Sequence, residues 1–252
     1  MRALAGSTIV LATLAVGGIA CGTLLGISPD DSADAGTEAG VSEGGPDSGA
    51  DGRAEAAVDA AASCDADTSS DRDNCGACGT RCSQECEAGA CSKTVFVTST
   101  LHVGDFGADG GAVAAGAAIC NSLAAAAGLR GTYQAWIADI AGKGPADRFA
   151  RPAGPYRRVD GALVAPSFDV LIDGGPASAI NQDEDGGTPV ASAVWTGTSG
   201  DGKANTSEDC VGFTRTDIGG GFVGLMEVGA NWDTLSSEFV CTSTFALYCF
   251  EQ

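Results

Sequence analysis

The sequence predicts an α+β domain closed by two disulfides and preceded by a small cystine-rich module. Three observations carry this. The last stretch, Asn231 to Gln252, sets Phe239, Val240, Phe245, Leu247, Tyr248 and Phe250 around Cys241 and Cys249; that density of aromatic and β-branched residues belongs in paired strands at a sheet centre. An alanine-rich run around Cys120, AVAAGAAICNSLAAAAG, closes at Gly128, a helix C′ position. Finally, Cys120, Cys210, Cys241 and Cys249 form an even set after residue 91, while six cysteines crowd into residues 64 to 91.

The N-terminus accounts for the remaining cysteine. Arg2 precedes an apolar run from Ser7 to Ala20 and then Cys21, the layout of a secretory signal whose h-region is too short to span a bilayer comfortably. Gly18-Ile19-Ala20-Cys21 resembles a bacterial lipobox. Eleven cysteines are an odd number, and an unpaired thiol is a liability in an oxidising compartment. Assigning Cys21 to acylation leaves ten, six and four. The expectation is a signal peptide over 1–20, an acylated Cys21 held in membrane lipid, and an exported lipoprotein of a bacterial outer membrane or cell surface. Ordinary signal cleavage, giving a secreted or periplasmic protein, is the alternative.

Residues 29 to 63 contain no aromatic and carry a net charge of −8. Such a segment buries too little apolar surface to offset its ordering entropy, so 21–63 reads as the acylated cysteine followed by an acidic tether. Residues 64–92 form the next unit, with Cys64, Cys75, Cys78, Cys82, Cys86 and Cys91. The Cys75-x-x-Cys78 spacing suits a zinc or redox site in the cytosol. Behind an export signal, with almost no apolar residues for a core, structural disulfides are the expected state.

Residues 93–252 are the main domain. Val95 to Thr100 opens as a strand. Asp109 stands where it can cap, or charge the first turn of, a helix from about Ala112 to Ala127. Tyr133, Ala135 and Ile137 alternate with Gln134, Trp136 and Ala138, a period-two strand pattern. Asp160-Gly161 between PYRRV and ALVA marks a hairpin with a type I′ turn. Val164 to Ala193 reads mostly as loop, strands resume at Val194-Trp195-Thr196, and Cys210 sits in a strand-like DCVGF. Four cysteines allow three connectivities. A cysteine in the helix, one in the closing strand and one in DCVGF make Cys120–Cys249 and Cys210–Cys241 the expected pairs.

In series, VFVTST, the cysteine-bearing helix, GTYQAWIAD, ADRF, PYRRVDGALVA, INQDEDG, VWTGT, DCVGF and CTSTFALYCFEQ resemble the C-type-lectin-like fold, in its endostatin-like branch of bacterial surface-lipoprotein domains. The resemblance covers Val95 to Gln252. It implies non-enzymatic binding at the cell surface, because endostatin-like bacterial surface proteins bind host matrix and complement regulators. A protein or extracellular-matrix ligand is the first expectation and a calcium-assisted carbohydrate-binding lectin the alternative. An envelope hydrolase is the third.

Candidate sites follow from residue chemistry. Asn181, Asp183 and Asp185, followed by Gly186, place oxygens at alternate positions, as the first half of an EF-hand loop does around Ca²⁺. Position twelve is Ser192, so the second half is missing; Asp201 or Asp209 would have to complete a calcium site, and a solvated acidic turn is the alternative. Asn231-Trp232-Asp233 carries the residues of the Trp-Asn-Asp triplet of calcium-dependent lectins, with Trp and Asn transposed. On a strand, Asn231 and Asp233 would share a face, with Trp232 in the core. Arg157 and Arg158, with Arg148 and Arg151, can hold carboxylates or sulfates of an acidic ligand, or pair with the acidic surface. His102 is the single histidine, and no HExxH or Walker pattern occurs. With a net charge of −20 and no basic segment, nucleic acid is not an expected partner.

Overall fold

The computed structural model describes residues 65–205, 209–217, 219–229, 231–235 and 238–252. The signal segment, Cys21, the tether and Cys64 lie outside the described residues. The described chain is mixed α+β and mostly sheet.

The cystine-rich module is a set of turns ending in a minimal hairpin, β1 (Cys86–Glu87) with β2 (Ala90–Cys91). Cys75–Cys86 and Cys82–Cys91 are disulfides, and Cys78 is disulfide-bonded as well. The three sulfurs of Cys75, Cys82 and Cys86 lie within 4.8 Å of one another, but each is already bonded to sulfur. The module leans on the domain through side chains. Ser83 Oγ donates to Glu251 at 2.7 Å, and Gln84 Nε2 donates to Thr94 Oγ1 at 2.9 Å. Backbone contact is equally close at Gly154, where a Cβ would lie 1.9 Å from the Cys91 carbonyl oxygen.

The domain is organised on β11 (Thr244–Glu251), the longest strand. It pairs antiparallel with β3 (Lys93–Val97) and parallel with β8 (Ala193–Trp195). Beyond β3 lie β6 (Tyr156–Arg158) and β7 (Leu163–Ala165); beyond β8 lie β9 (Gly220–Leu225) and β10 (Glu238–Val240). Two short strands, β4 (His102–Val103) and β5 (Tyr133–Ala135), also pair with β11. Because successive side chains of a strand point to opposite faces, β11 feeds two cores. Tyr248 and Phe250 join Val95, Trp136, Tyr156 and Trp232 on one side. Leu247 and Cys249 join Phe96, Cys120, Tyr133 and Trp195 on the other.

Helix α1 (Ala112–Ala126) covers the second face. Its small side chains allow a close approach: a Cβ on Gly116 would lie 2.7 Å from that of Ala135. Asn121 fastens it, accepting from the Tyr133 N–H at 2.9 Å and donating to the Tyr133 carbonyl at 2.8 Å. Gly128 ends it at φ 72°, with the Leu129 N–H reaching the Ala124 carbonyl, a left-handed terminator that suits glycine. The start differs from expectation. Gly111 is the N-cap, and the first turn holds no acid, because the bends at Gly110 and Gly111 separate Asp109 from the helix.

The disulfides Cys120–Cys249 and Cys210–Cys241 are both formed. The first ties α1 to β11. The second starts from an unexpected shape: Cys210, Val211, Gly212 and Phe213 all have φ between 52° and 65°, a left-handed turn where the sequence reads as a strand. Asp160 has no positive φ and Gly161 has 84°, so the β6–β7 connection is not type I′; a register shift between Tyr156 and Arg157 absorbs the difference. The Val164–Ala193 region is not all loop either. Its α3 (Phe168–Gly174) is capped by Ser167, whose hydroxyl accepts from the Val170 N–H at 3.3 Å. A shorter helix, α2 (Pro145–Arg148), begins on proline, which has no N–H to leave unpaired at that position.

Candidate functional site

The 181–187 loop lies beside β3, held by the Val97 N–H on the Gln182 carbonyl at 2.8 Å. Its oxygens are largely engaged. Asp183 Oδ1 accepts from the Gly187 N–H at 2.6 Å and the Asp185 N–H at 3.1 Å. Asn181 Oδ1 accepts from Arg158 Nη1 at 2.5 Å, and Asp185 is exposed. Glu184 turns inward, buried, and accepts from the Ser99 N–H at 3.0 Å and from the Ser99 hydroxyl. The loop is thus closed by its own hydrogen bonds and by Glu184. Among the described residues, the single grouping of three metal-capable side chains is the disulfide-bonded Cys75, Cys82 and Cys86.

Asn231, Trp232 and Asp233 form a turn after β9 rather than a strand, so Asn231 and Asp233 do not share a face. Asn231 is exposed and its carbonyl accepts from the Leu225 N–H. Trp232 is 1% exposed, with its ring 4.6 Å from that of Trp136. Asp233 is fully buried, and neither carboxylate oxygen has a hydrogen-bond partner among the described residues. Burial pushes this carboxyl up to about 7. The neighbouring Gly202 N–H and Thr198 hydroxyl offset part of that effect without reaching hydrogen-bond geometry; the Thr198 hydroxyl donates instead to the Asp233 carbonyl at 3.0 Å.

His102, half-buried, places Nε2 3.0 Å from Thr100 Oγ1 and its ring edge-on to Phe106. Loss of hydration lowers its pKa. Its backbone carbonyl accepts from Trp195 Nε1 at 2.8 Å.

The arginines read either as an acidic-ligand patch or as local ion-pair partners of the acidic surface have carboxylate partners. Arg157 Nε lies 2.6 Å from Glu87 Oε1, which lowers the Glu87 pKa, and Arg158 Nη2 lies 2.7 Å from Asp160 Oδ2. Arg151 meets Asp169 at 2.5 Å and Arg148 meets Asp139 at 3.8 Å. Arg148 also has Nε and Nη1 buried without hydrogen-bond partners among the described residues, and burial lowers its pKa. Arg81 and Arg215 likewise face Asp73 and Asp217.

Arg72 and Arg130 are the two described arginines with no such carboxylate, and both line a cleft of ≈ 680 Å³ between the module and the domain. Ser83, Gln84, Leu129 and Val159 line it as well. Both of its acids stand near an arginine. Asp160 is bound by Arg158, which lowers its pKa, and Glu85 stands 4.0 Å from Arg157. No protein-family model matches this chain, and no curated protein matches it.

Sequence reasoning missed the cleft because its wall on the module side is set by disulfide geometry. One signal was available: Arg130 lies in AAAAGLRGTYQAW, a run without acids in a chain otherwise dense with them. Arg72 stands between Asp71 and Asp73, so nothing in its neighbourhood marks it as unpaired.

Proposed function

We propose that the chain is an exported lipoprotein, anchored to the outer membrane or cell surface through an acylated Cys21, whose C-type-lectin-like, endostatin-like domain binds a protein or extracellular-matrix ligand without catalysis. The order of sequence motifs supports the fold. The observation that carries binding is the cleft at the join of module and sheet: an open, mixed polar and apolar concavity of ligand-pocket size on a disulfide-fastened frame. Recognition then needs both parts of the molecule, so the module belongs to the binding unit. Binding of the full-length chain to a panel of matrix proteins and glycans tests this reading, and silence across the panel rejects it. Intact-mass analysis of detergent-extracted protein tests the anchor: a mature start at Cys21 with no fatty-acid mass removes it.

A further inference from the structure

In a chain with a net charge of −20, a guanidinium without a carboxylate needs a reason, and here two of them share one cleft. Arg130 makes no side-chain hydrogen bond or ion pair among the described residues. Arg72 donates to the Cys82 carbonyl at 3.3 Å and the Ser83 carbonyl at 2.6 Å through Nε and Nη2, leaving Nη1 free for a ligand. Gln84 spends its amide nitrogen on Thr94 Oγ1 and on the Arg158 carbonyl, so its Oε1 is available to accept a hydroxyl. Leu129 and Val159 supply apolar wall, and a Cβ on Gly128 or Gly161 would meet nothing within 4 Å, so the cleft is open at these two residues.

We propose that this cleft binds a hydroxylated carboxylate of sugar-acid size, a uronate, with Arg72 and Arg130 recognising the carboxylate. The inference rests on the binding function above and names its ligand class. Guanidinium groups match a carboxylate by paired N–H donors. A sugar acid adds hydroxyls for Gln84 Oε1 and a C–H face for Leu129 and Val159. The volume falls within the ~300–1,000 Å³ usual for small-ligand sites. Of the acids of the cleft, Asp160 is held by Arg158, and Glu85 is exposed 4.0 Å from Arg157, so Asp160 opposes an incoming anion less than a free carboxylate would. The competing account is structural: Arg130 follows the C-terminus of α1, where a cation complements the helix dipole, and Arg72 braces the module.

The test is calorimetric titration of the detergent-solubilised full chain with galacturonate, a galacturonate trisaccharide and galactose. Saturable heat with a uronate and none with galactose is expected; binding of the trisaccharide alone means that the cleft takes several residues of a polyuronate, and binding of the monomer admits the free acid. Arg130→Gln lowers affinity about tenfold to a hundredfold while the melting temperature stays within a few degrees. Arg72→Gln, measured on folded protein, does the same, and Lys143→Gln, outside the cleft, changes nothing. Heat with neither uronate, equal heat with galactose, or an Arg130→Gln chain that binds like its parent overturns the assignment. Should the chain capture a matrix protein that Arg130→Gln captures equally well, the sugar-acid assignment falls and the binding function stands.

Discussion

The Ser83 hydroxyl donates to Glu251 Oε2 at 2.7 Å, joining the cystine-rich module to the last residue of β11 across 168 residues. The same oxygen accepts the Thr94 N–H at 2.8 Å, and Lys93 Nζ stands 3.8 Å from Oε1. Glu251→Ala leaves the buried Thr94 N–H unpaired and the Ser83 hydroxyl with only the Ser92 carbonyl, at 3.3 Å. It is expected to destabilise the protein by about 2–4 kcal/mol and to speed proteolysis within the module, measured by denaturant melts and limited digestion.

Asp233 predicts an inverted pH dependence. Its folded pKa, about 7, lies above the ordinary 3.8, so its contribution to stability is fully present below about 3.8 and is lost as pH rises through about 7. Asp201 and Tyr248 face it and add no positive charge. The linkage is worth up to about 4 kcal/mol, so the melting temperature falls on the order of 10 °C between pH 5 and pH 8. Asp233→Asn removes that slope and raises the melting temperature at pH 8. A parent protein whose stability is flat or rising over that range contradicts the burial of an unpaired carboxylate.

The two domain disulfides differ in the length of chain they close, 129 residues for Cys120–Cys249 and 31 for Cys210–Cys241. In the loop-entropy account, removing the first as a Cys→Ala pair costs about 5 kcal/mol and the second about 4 kcal/mol. Denaturant melts of the two double variants check the order.

Val211 holds φ 56° and ψ 54° with a β-branched side chain, a conformation that costs an L-residue roughly 1–2 kcal/mol. Val211→Gly therefore raises stability by about 1 kcal/mol once glycine's greater unfolded entropy is subtracted. Gly212→Ala lowers it, because the new Cβ would lie 2.6 Å from that of Ile140. Thermal melts of both variants read the sign.

Much of the scaffold was legible in the residues, and for identifiable reasons. The pairing of Cys120 with Cys249 followed from a cysteine on an alanine-rich helix and another in an aromatic closing strand. Period-two alternation located β5, and the apolar density of the tail located β11. Three local shapes were illegible. The left-handed turn at Cys210–Phe213 has glycine at one of its four positions, so tertiary constraint, not propensity, holds it. Helix α3 is seven residues long, too short for a clear period of its own. Asp109 failed as a cap because two glycines at positive φ, Gly110 and Gly111, turn the chain before α1 begins. The site was less legible than the scaffold. Asn181, Asp183, Arg157 and Arg158 carry chemistry that the fold spends on its own hydrogen bonds, whereas Arg130 is notable for what its surroundings lack.

The central strand of the sheet is also the last in chain order among the described strands. Until Thr244–Glu251 emerges, β3 and β8 have no common neighbour, and α1 has no sulfur partner for Cys120. A chain halted at Ser243 would carry the outer rows of a sheet without the row that joins them. Folding of the sheet therefore waits for β11 and is governed by long-range contacts, which are slow to form, and a stop upstream of β11 yields an open polypeptide rather than a shortened domain.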